Sequence, residues 1–147
     1  MQLKANLARG ILVSPEDIGL LKMHLFYIES NGYPRAKIQG KKVHLHKLIL
    51  PEAEAVDHIN SNPLDNRREN LRPCTQRQNR MNSTLRCDSK SGYKGVYKVG
   101  NTYKVQIVRQ GVKIHVGTYN TAESAAVAYN AAATENYGEF AKLNLVT

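Results

Sequence analysis

Two short predicted strands and the polar loop between them constrain the fold of this chain more than any other feature. The runs AVDHIN (55–60) and LRPC (71–74) have the length of short strands, and the ten residues between them, SNPLDNRREN, contain Asn-Pro and Asp-Asn turn signals. Thr75 and Gln78 then form a capping-box pair, which predicts a helix over TQRQNRMN. The sequence therefore predicts strand, loop, strand and helix within residues 55–82.

A helix is predicted near the N-terminus, starting at Ser14. Pro15 takes the first helical position, where its fixed φ and missing N–H are tolerated. Apolar residues then recur at helical spacing, at Ile18, Leu21, Leu25 and Ile28. This helix is expected to bury one face and to support the strands that follow.

A β-hairpin is predicted within GYPRAKIQGKKVHLHKLIL, turned at Gln39 and Gly40. A short apolar helix follows it and ends at Pro51. We expect His46 to be a packed histidine beside the leucines of this helix.

The residue pattern changes after a short polar segment. Residues 83–91, STLRCDSKS, are predicted to link a domain at 1–82 to a second domain at 92–147. Three strands are then indicated by YKGVYK, YKVQIVR and VKIHVG, with a tight turn at Gln110 and Gly111 between the last two.

The last two predicted strands alternate between an apolar and a polar face. The expected core face carries Tyr103, Val105, Ile107, Val112, Ile114 and Val116. The opposite face carries Lys104, Gln106, Val108, Lys113 and His115. Thr121 caps the alanine-rich helix AESAAVAYNAAATENYG, whose core stripe is Ala122, Ala125, Ala126, Tyr129 and Ala133. The predicted class is α+β, with a three-stranded antiparallel sheet packed on one C-terminal helix.

Positive charge is concentrated in one part of the chain. The net charge is +9, and the segment from Arg67 to Lys113 holds twelve Lys and Arg against Glu69 and Asp88. A solvated face is the simplest explanation of such a segment, but this concentration favours a polyanionic partner. Near the N-terminus the apolar stretch GILV is followed at once by SPED, so neither a signal peptide nor a membrane span is predicted.

Four polar residues occur at a distinctive spacing: Asp57, His58, Asn70 and Asn79. With HLHKLI upstream, the segment VDHINSNPLDNRRENLRPCTQRQN resembles the HNH homing endonucleases of the His-Me finger class. The segment from SGYKGVYK to GEFAKLN resembles an Apetala/ethylene-response-factor DNA-binding domain. Together they resemble phage and bacterial homing endonucleases that join the two modules. The resemblance implies a ββα-metal core at about 55–82 within the HNH domain.

The resemblance implies a role for each of the four residues. Asp57 would hold one divalent metal ion, Mg²⁺ or Mn²⁺, together with the side-chain oxygen of Asn79, since such ions prefer oxygen donors. Neutral His58 would take a proton from the attacking water, and Asn70 would fix the loop and the orientation of His58. Five arginines would hold the DNA backbone near the metal: Arg67, Arg68, Arg72, Arg77 and Arg80.

The C-terminal sheet is expected to lie in the major groove of double-stranded DNA. Its facing side would present Lys94, Lys98, Lys104, Gln106, Lys113 and His115. Lysines there would mainly bind phosphate, while Gln106 would read an adenine edge. Several arginines and a tryptophan usual in the plant domains are replaced in this chain, so the plant recognition sequence does not carry over.

These features together predict a site-specific, metal-dependent DNA endonuclease of the homing type. One active site per chain implies a monomer on DNA that nicks one strand per encounter. The expected location is the cytoplasm of a bacterial host, with a phage gene as a further expectation, and no membrane partner is expected.

Two other hypotheses stay open from the sequence. A DNA-binding regulator with a relic nuclease site explains the charge and the C-terminal sheet equally well, and metal-dependent cutting separates it from a nuclease. A zinc-binding RNA protein would use His44, His46, Cys74 and Cys87, although these do not fall in paired motifs.

Overall fold

The computed structural model describes residues 1–82 and 90–146. It divides into two compact units, Met1–Asn79 and Arg80–Thr147, and each has its own apolar core. The predicted linker lies largely outside the described residues, and the predicted domain boundaries remain predictions. In the described part of the chain, no helix is long and apolar enough to cross a membrane.

Two N-terminal helices pack together through a buried amide. Helix α1 (Gln2–Ala8) contacts helix α2 (Ile18–Met23), and the fully buried Asn6 lies between them. Its hydrogen bonds all go to backbone at the end of α2 or just beyond it: Leu21 O at 2.9 Å, His24 O at 2.8 Å and Phe26 N–H at 2.9 Å. The side chain thereby satisfies carbonyl groups that the end of a helix leaves without partners.

The helix predicted from Ser14 is confirmed at its start and wrong at its end. A 3₁₀ turn at Pro15–Asp17 leads into α2, but strand β2 (Tyr27–Ile28) occupies the predicted last turn. Because Asn6 caps α2 early, the chain continues extended, and Phe26 becomes the fully buried residue of this segment.

The predicted hairpin is confirmed. Strands β3 (Pro34–Ile38) and β4 (Lys41–His44) pair antiparallel, and β2 adds to the outer edge of β3. Gln39 and Gly40 have φ values of 48° and 80°, the positive angles that a two-residue type I′ turn requires. Helix α3 (Leu45–Ile49) follows β4 directly and buries both of its end residues.

The strand, loop, strand and helix predicted after residue 55 are also confirmed. Strand β5 (Ala55–His58) pairs antiparallel with strand β7 (Leu71–Cys74), and helix α4 (Gln76–Met81) follows. The capping box is present, since Gln78 N–H donates to Thr75 Oγ1 at 3.2 Å and Thr75 N–H donates to Gln78 Oε1 at 2.9 Å.

The loop between β5 and β7 is tied to the N-terminal layer. Its short strand β6 (Asp65–Asn66) pairs in parallel with β1 (Leu12–Val13), and a 3₁₀ turn at Arg68–Asn70 leads into β7. The apolar core of this unit consists of Ile11, Leu21, Phe26, Ala36, Leu45, Ile49, Val56 and Leu71. Both sides of the loop are therefore anchored to one core.

The second unit is a three-stranded antiparallel sheet covered by one helix. Strands β8 (Val96–Val99), β9 (Thr102–Arg109) and β10 (Val112–Tyr119) follow the order β10-β9-β8, and helix α5 (Ala122–Tyr137) packs on them. The core is formed by Val96, Val105, Ile107, Ala125, Ala126, Tyr129 and Ala133. As predicted, Thr121 caps α5, with its Oγ1 accepting from Ser124 N–H at 3.1 Å.

Helix and sheet approach each other closely at Gly95. A Cβ on Gly95 would lie 2.1 Å from the ring of Tyr129, and the φ of +72° is also one that favours glycine. The tyrosine thus fills volume that the small alanines of α5 leave, as the sequence suggests.

The predicted core face of β10 needs a correction. Val112 is 64% exposed and Ile114 36% exposed, whereas Val116 is half-buried against the core. The register shifts between His115 and Gly117, so Val116 is the extra residue of a β-bulge. The first half of β10 belongs to the turn end of the hairpin, where Val112 remains largely in solvent and Ile114 is only partly covered.

Candidate active site

Strand β5 presents Asp57 and His58 on opposite faces. Asp57 lies directly opposite Arg72 on β7, and His58 lies directly opposite Leu71. Directly paired residues of antiparallel strands share a face, so the side chain of His58 lies on the same face as that of the core residue Leu71. Both residues are buried: Asp57 is only 4% exposed and His58 only 3% exposed. Two adjacent polar residues therefore serve two different environments.

Asp57 forms an ion pair with Arg72. The arginine donates from Nε at 2.8 Å and from Nη2 at 2.7 Å, both to Oδ2 of the carboxylate. The Arg72 side chain is itself only 14% exposed. Arg72 therefore neutralises the buried carboxylate across the strand pair, which differs from the predicted position on a DNA-facing surface.

His58 is oriented by Asn66, a residue that the sequence analysis missed. His58 Nε2 lies 3.3 Å from Asn66 Oδ1, and the Asn66 amide nitrogen donates to Pro63 O at 2.9 Å, which fixes the oxygen toward the histidine. An amide oxygen only accepts hydrogen bonds, so Nε2 carries the proton and Nδ1 is the basic nitrogen. Asn66 is fully buried, and its position is set by β6.

Burial keeps the imidazole of His58 neutral. It lowers the pKa of His58 below the usual value of 6.5, while the hydrogen bond with Asn66 and the charges of Asp57 and Asp65 partly oppose this effect. A neutral imidazole is the form that accepts a proton.

Asn70 braces the loop that carries these residues. Its Oδ1 accepts from Asn60 N–H at 3.0 Å, its Nδ2 donates to Asp65 O at 2.7 Å, and its backbone oxygen accepts from Ile59 N–H at 2.9 Å. These bonds join the end of β5 to the loop just before β7. The loop-fixing contacts expected of Asn70 are present, but the direct contact with His58 comes from Asn66.

Asn79 lies half-buried on α4. Burial raises the pKa of the Cys74 thiol, the charge of Asp57 raises it further, and the backbone N–H of Asn79 opposes the rise. Strand β7, which pairs with the strand of Asp57, leads through Thr75 into the helix that carries Asn79. A carboxylate and an amide oxygen are the hard donors that Mg²⁺ and Mn²⁺ prefer, so this pair fits such an ion chemically.

Comparisons with known proteins match the segment that carries this site. A family model described as HNH endonuclease matches residues 49–81, which span β5, its loop, β7 and α4. A relative from Acanthamoeba polyphaga mimivirus, named as an uncharacterized HNH endonuclease, is 34% identical over 143 residues, covering 91% of this chain and 74% of the relative. This chain belongs to the HNH endonuclease family. No solved structure matches it.

As an HNH endonuclease, the protein is a nuclease enzyme. This result favours the nuclease hypothesis over the hypothesis of a DNA-binding regulator with a relic site. The family model stops at residue 81, so the predicted likeness of residues 92–147 to the Apetala/ethylene-response-factor domains stays a prediction.

Two arginines of the HNH loop form ion pairs with acids. Arg67 donates to both oxygens of the buried Asp65 at 2.8 Å and also pairs with Glu69, and its hydrogen bonds lower the pKa of Asp65. Arg68 donates to both oxygens of Asp17 at 2.7 Å, and its N–H donates to Ser14 Oγ at 2.9 Å. Their first role is therefore to tie the loop together and to the N-terminal layer.

The other two predicted arginines differ from these. Arg77 and Arg80 lie on the exposed surface of α4. They keep the exposure that contact with a DNA backbone requires.

In the second unit, strand register groups most of the predicted DNA-facing residues on one face. Lys104 pairs with Tyr97 and Thr118, Gln106 with His115, and Val108 with Lys113. The exposed face of this sheet is formed by Tyr97, Lys104, Gln106, Val108, Lys113, His115 and Thr118. Tyr97, 53% exposed, adds an aromatic side chain that was not included in the predicted set.

Two lysines predicted for that face lie elsewhere. Lys98 pairs with Tyr103, whose ring packs on the core, so Lys98 belongs to the helix-bearing side of the sheet. Lys94 precedes β8, its side-chain ammonium donates to the backbone oxygen of Met81, and its backbone N–H donates to Asn144 Oδ1 at 2.7 Å. The correction for Lys98 follows from where β8 begins, which fixes the alternation of its side chains.

The zinc-binding hypothesis is not supported. Among residues 1–82 and 90–146, no three His, Cys, Asp or Glu side chains are arranged to hold a metal ion. His44 and His46 stack on each other with ring centroids 5.3 Å apart, His44 bonds to Glu29, and Cys87 lies outside the described residues.

Proposed function

We propose that this protein is a homing-type DNA endonuclease that hydrolyses one phosphodiester bond with His58 as the general base. The observation that carries this proposal is the arrangement around His58. The ring is buried, neutral and held by Asn66 with Nδ1 as the basic atom, and Asp57 is its immediate neighbour on the strand. A general base needs a neutral form and a fixed tautomer, and both are supported here.

The proposed reaction needs only a few of the chain's own residues. Nδ1 of His58 takes the proton of a water whose oxygen attacks the phosphorus atom, the bond from phosphorus to a sugar oxygen breaks, and the leaving oxygen takes a proton from solvent water. Asn66 holds the proton on Nε2 throughout, and Asn70 keeps the loop in register with β5. Asp57 and Asn79 would hold one Mg²⁺ or Mn²⁺ ion, which supplies positive charge to stabilise the transition state.

The sheet of the second unit supports a role in placing double-stranded DNA. One face carries Lys104, Lys113 and His115 with Gln106 between them, and the strands are eight residues long. A short basic sheet of this kind has the dimensions to enter a major groove. Lysines would contribute salt-dependent phosphate binding, and Gln106 would read a base edge.

The β3–β4 hairpin supports further contact with the DNA backbone. Lys37 lies directly opposite Lys42, both are exposed, and Lys41 is exposed beside them. Like charges placed directly opposite each other destabilise a strand pair, so an anionic partner would relieve this repulsion.

One active site per chain supports a monomer that nicks. The mimivirus relative supports a viral or phage origin, and the cytoplasm of the host remains the expected location. A chelator experiment tests the proposal: purified protein is incubated with supercoiled plasmid and Mg²⁺, Mn²⁺ or a chelator. Open circles formed only with metal are expected. Cutting that persists in the chelator would contradict the metal dependence, and an immediate linear product would contradict the nicking monomer.

A further inference from the structure

The rings of Tyr33, His44 and His46 form a cluster with the ring of His58. Tyr33 lies 5.5 Å from His58 between ring centroids, and His46 lies 5.4 Å from it, both in edge-to-face arrangements at 70° and 85°. Tyr33 also contacts His46 at 5.5 Å and His44 at 6.0 Å. His58 thus contacts two neighbouring rings, one from α3 and one from the residue before β3, and His44 of β4 contacts both of these in turn.

The cluster is anchored at its far end by charge. His44 stacks on His46 with an interplanar angle of 10°, and His44 Nε2 lies 2.8 Å from Glu29 Oε2. Glu29 also forms an ion pair with Arg35. Because His46 follows the fully buried Leu45 in the first turn of α3, its backbone is held next to the core. The rings against His58 therefore have little freedom to move.

Packing alone does not account for His46. Among the described residues, its Nδ1 is buried without a hydrogen-bond partner. Such an unsatisfied atom lowers the stability of the folded state, and an apolar side chain would avoid this loss. Burial, with the nearby charges of His58, His44 and Lys47, also lowers its pKa to about 3. A leucine of similar volume would destabilise the folded state less at this position. A retained polar ring that is costly to bury indicates a role beyond filling space.

We propose that Tyr33 and His46 are positioning residues for His58, so that the active site extends upstream of the residues matched by the HNH family model. The proposal rests on the proposed role of His58 as the base. Edge-to-face contacts from these two neighbouring rings hold the imidazole plane, while Asn66 sets which nitrogen is basic. Neither residue lies within 49–81, so the matched segment is an incomplete site by itself.

The test uses variants of the full chain that keep volume but remove the ring: Tyr33→Leu and His46→Leu. Tyr33→Phe keeps the ring as a conservative control, and Tyr27→Leu removes an exposed ring of β2 as a matched control. Three quantities are measured for each: kcat and KM for nicking of supercoiled plasmid, the free energy of unfolding, and the ring ¹⁵N shifts of His58.

We expect both leucine variants to lower kcat about 10- to 100-fold with little change in KM, while both controls nick at the wild-type rate. His46→Leu should be at least as stable as the wild type, which separates lost positioning from lost folding. The ¹⁵N shifts of His58 should change in the leucine variants only.

Wild-type kcat in His46→Leu and Tyr33→Leu, or losses that merely follow lost stability, would overturn the proposal. A wild type that does not nick would instead reject the proposed function, and the ring shifts would still decide the positioning. In that case, unchanged His58 shifts in both leucine variants would refute the positioning proposal, and altered shifts would support it.

Discussion

Arg72 and Asp57 form a buried ion pair across β5 and β7, with two arginine nitrogens on the single oxygen Oδ2 at 2.7 and 2.8 Å. The pair links the strand that carries the proposed base to the strand that leads into α4. It also makes Arg72 a structural partner of the carboxylate, a role that differs from the one expected for it from the sequence.

Removing one member of this pair should destabilise the first unit. In Arg72→Met the carboxylate of Asp57 stays buried without its guanidinium, which costs roughly 3 kcal/mol of unfolding free energy. Urea unfolding of the variant measures this loss. The double variant Asp57→Asn/Arg72→Met should recover part of it, and an additive double variant would contradict the coupling.

The tautomer of His58 depends on Asn66. Asn66→Ala removes the acceptor for Nε2–H, so we expect the nicking rate to fall roughly 10- to 100-fold. Asn62→Ala is a suitable control, because Asn62 belongs to the same loop but is exposed, and among the contacts described its side chain accepts only from Leu64 N–H. Equal rates for the two variants would contradict the assignment of Nδ1 as the base.

Stability should depend on pH through His46. Its pKa is about 3 in the folded protein against about 6.5 unfolded, so the unfolded state binds more protons between these values. The full contribution is present above pH 6.5 and is lost as pH falls toward 3, with a slope of at most about 1.4 kcal/mol per pH unit. Urea titrations across this range should show a shallower slope for His46→Leu than for the wild type. The lowered pKa of His58 acts in the same direction.

The sheet face of the second unit should dominate the salt dependence of DNA binding. Lys104→Ala and Lys113→Ala should each reduce the log–log slope of affinity against salt by about 0.9 on a random duplex. Lys98→Ala is the matched control, because Lys98 lies on the helix-bearing side. An effect of Lys98→Ala as large as that of Lys104→Ala would contradict the assigned face.

Local signals predicted much of this fold. The turn at Gln39 and Gly40 and the caps at Thr75 and Thr121 are each specified by a few neighbouring residues, and all are present. The end of α2 could not be predicted in this way. It is set by Asn6, which lies 15 to 20 residues away from the backbone groups that it binds.

The residues of the candidate site also differ in whether local sequence predicts them. Asp57, His58, Asn70 and Asn79 were identified because they share one short segment with a recognisable spacing. Tyr33 and His46 come from separate elements, and only the packing of the hairpin and α3 against β5 places their rings on His58. Asn66 carried a weak signal in the Asp-Asn pair of the loop, which was interpreted as a turn.

The nicking assay with His58→Ala tests the central claim most directly. Wild-type protein and the variant are compared on supercoiled plasmid with Mg²⁺ and Mn²⁺, and binding to the same DNA is measured in parallel. We expect nicking to fall roughly 10²- to 10⁴-fold with DNA affinity nearly unchanged, because only proton transfer is lost. A His58→Ala variant that nicks at the wild-type rate would show that His58 is not the base.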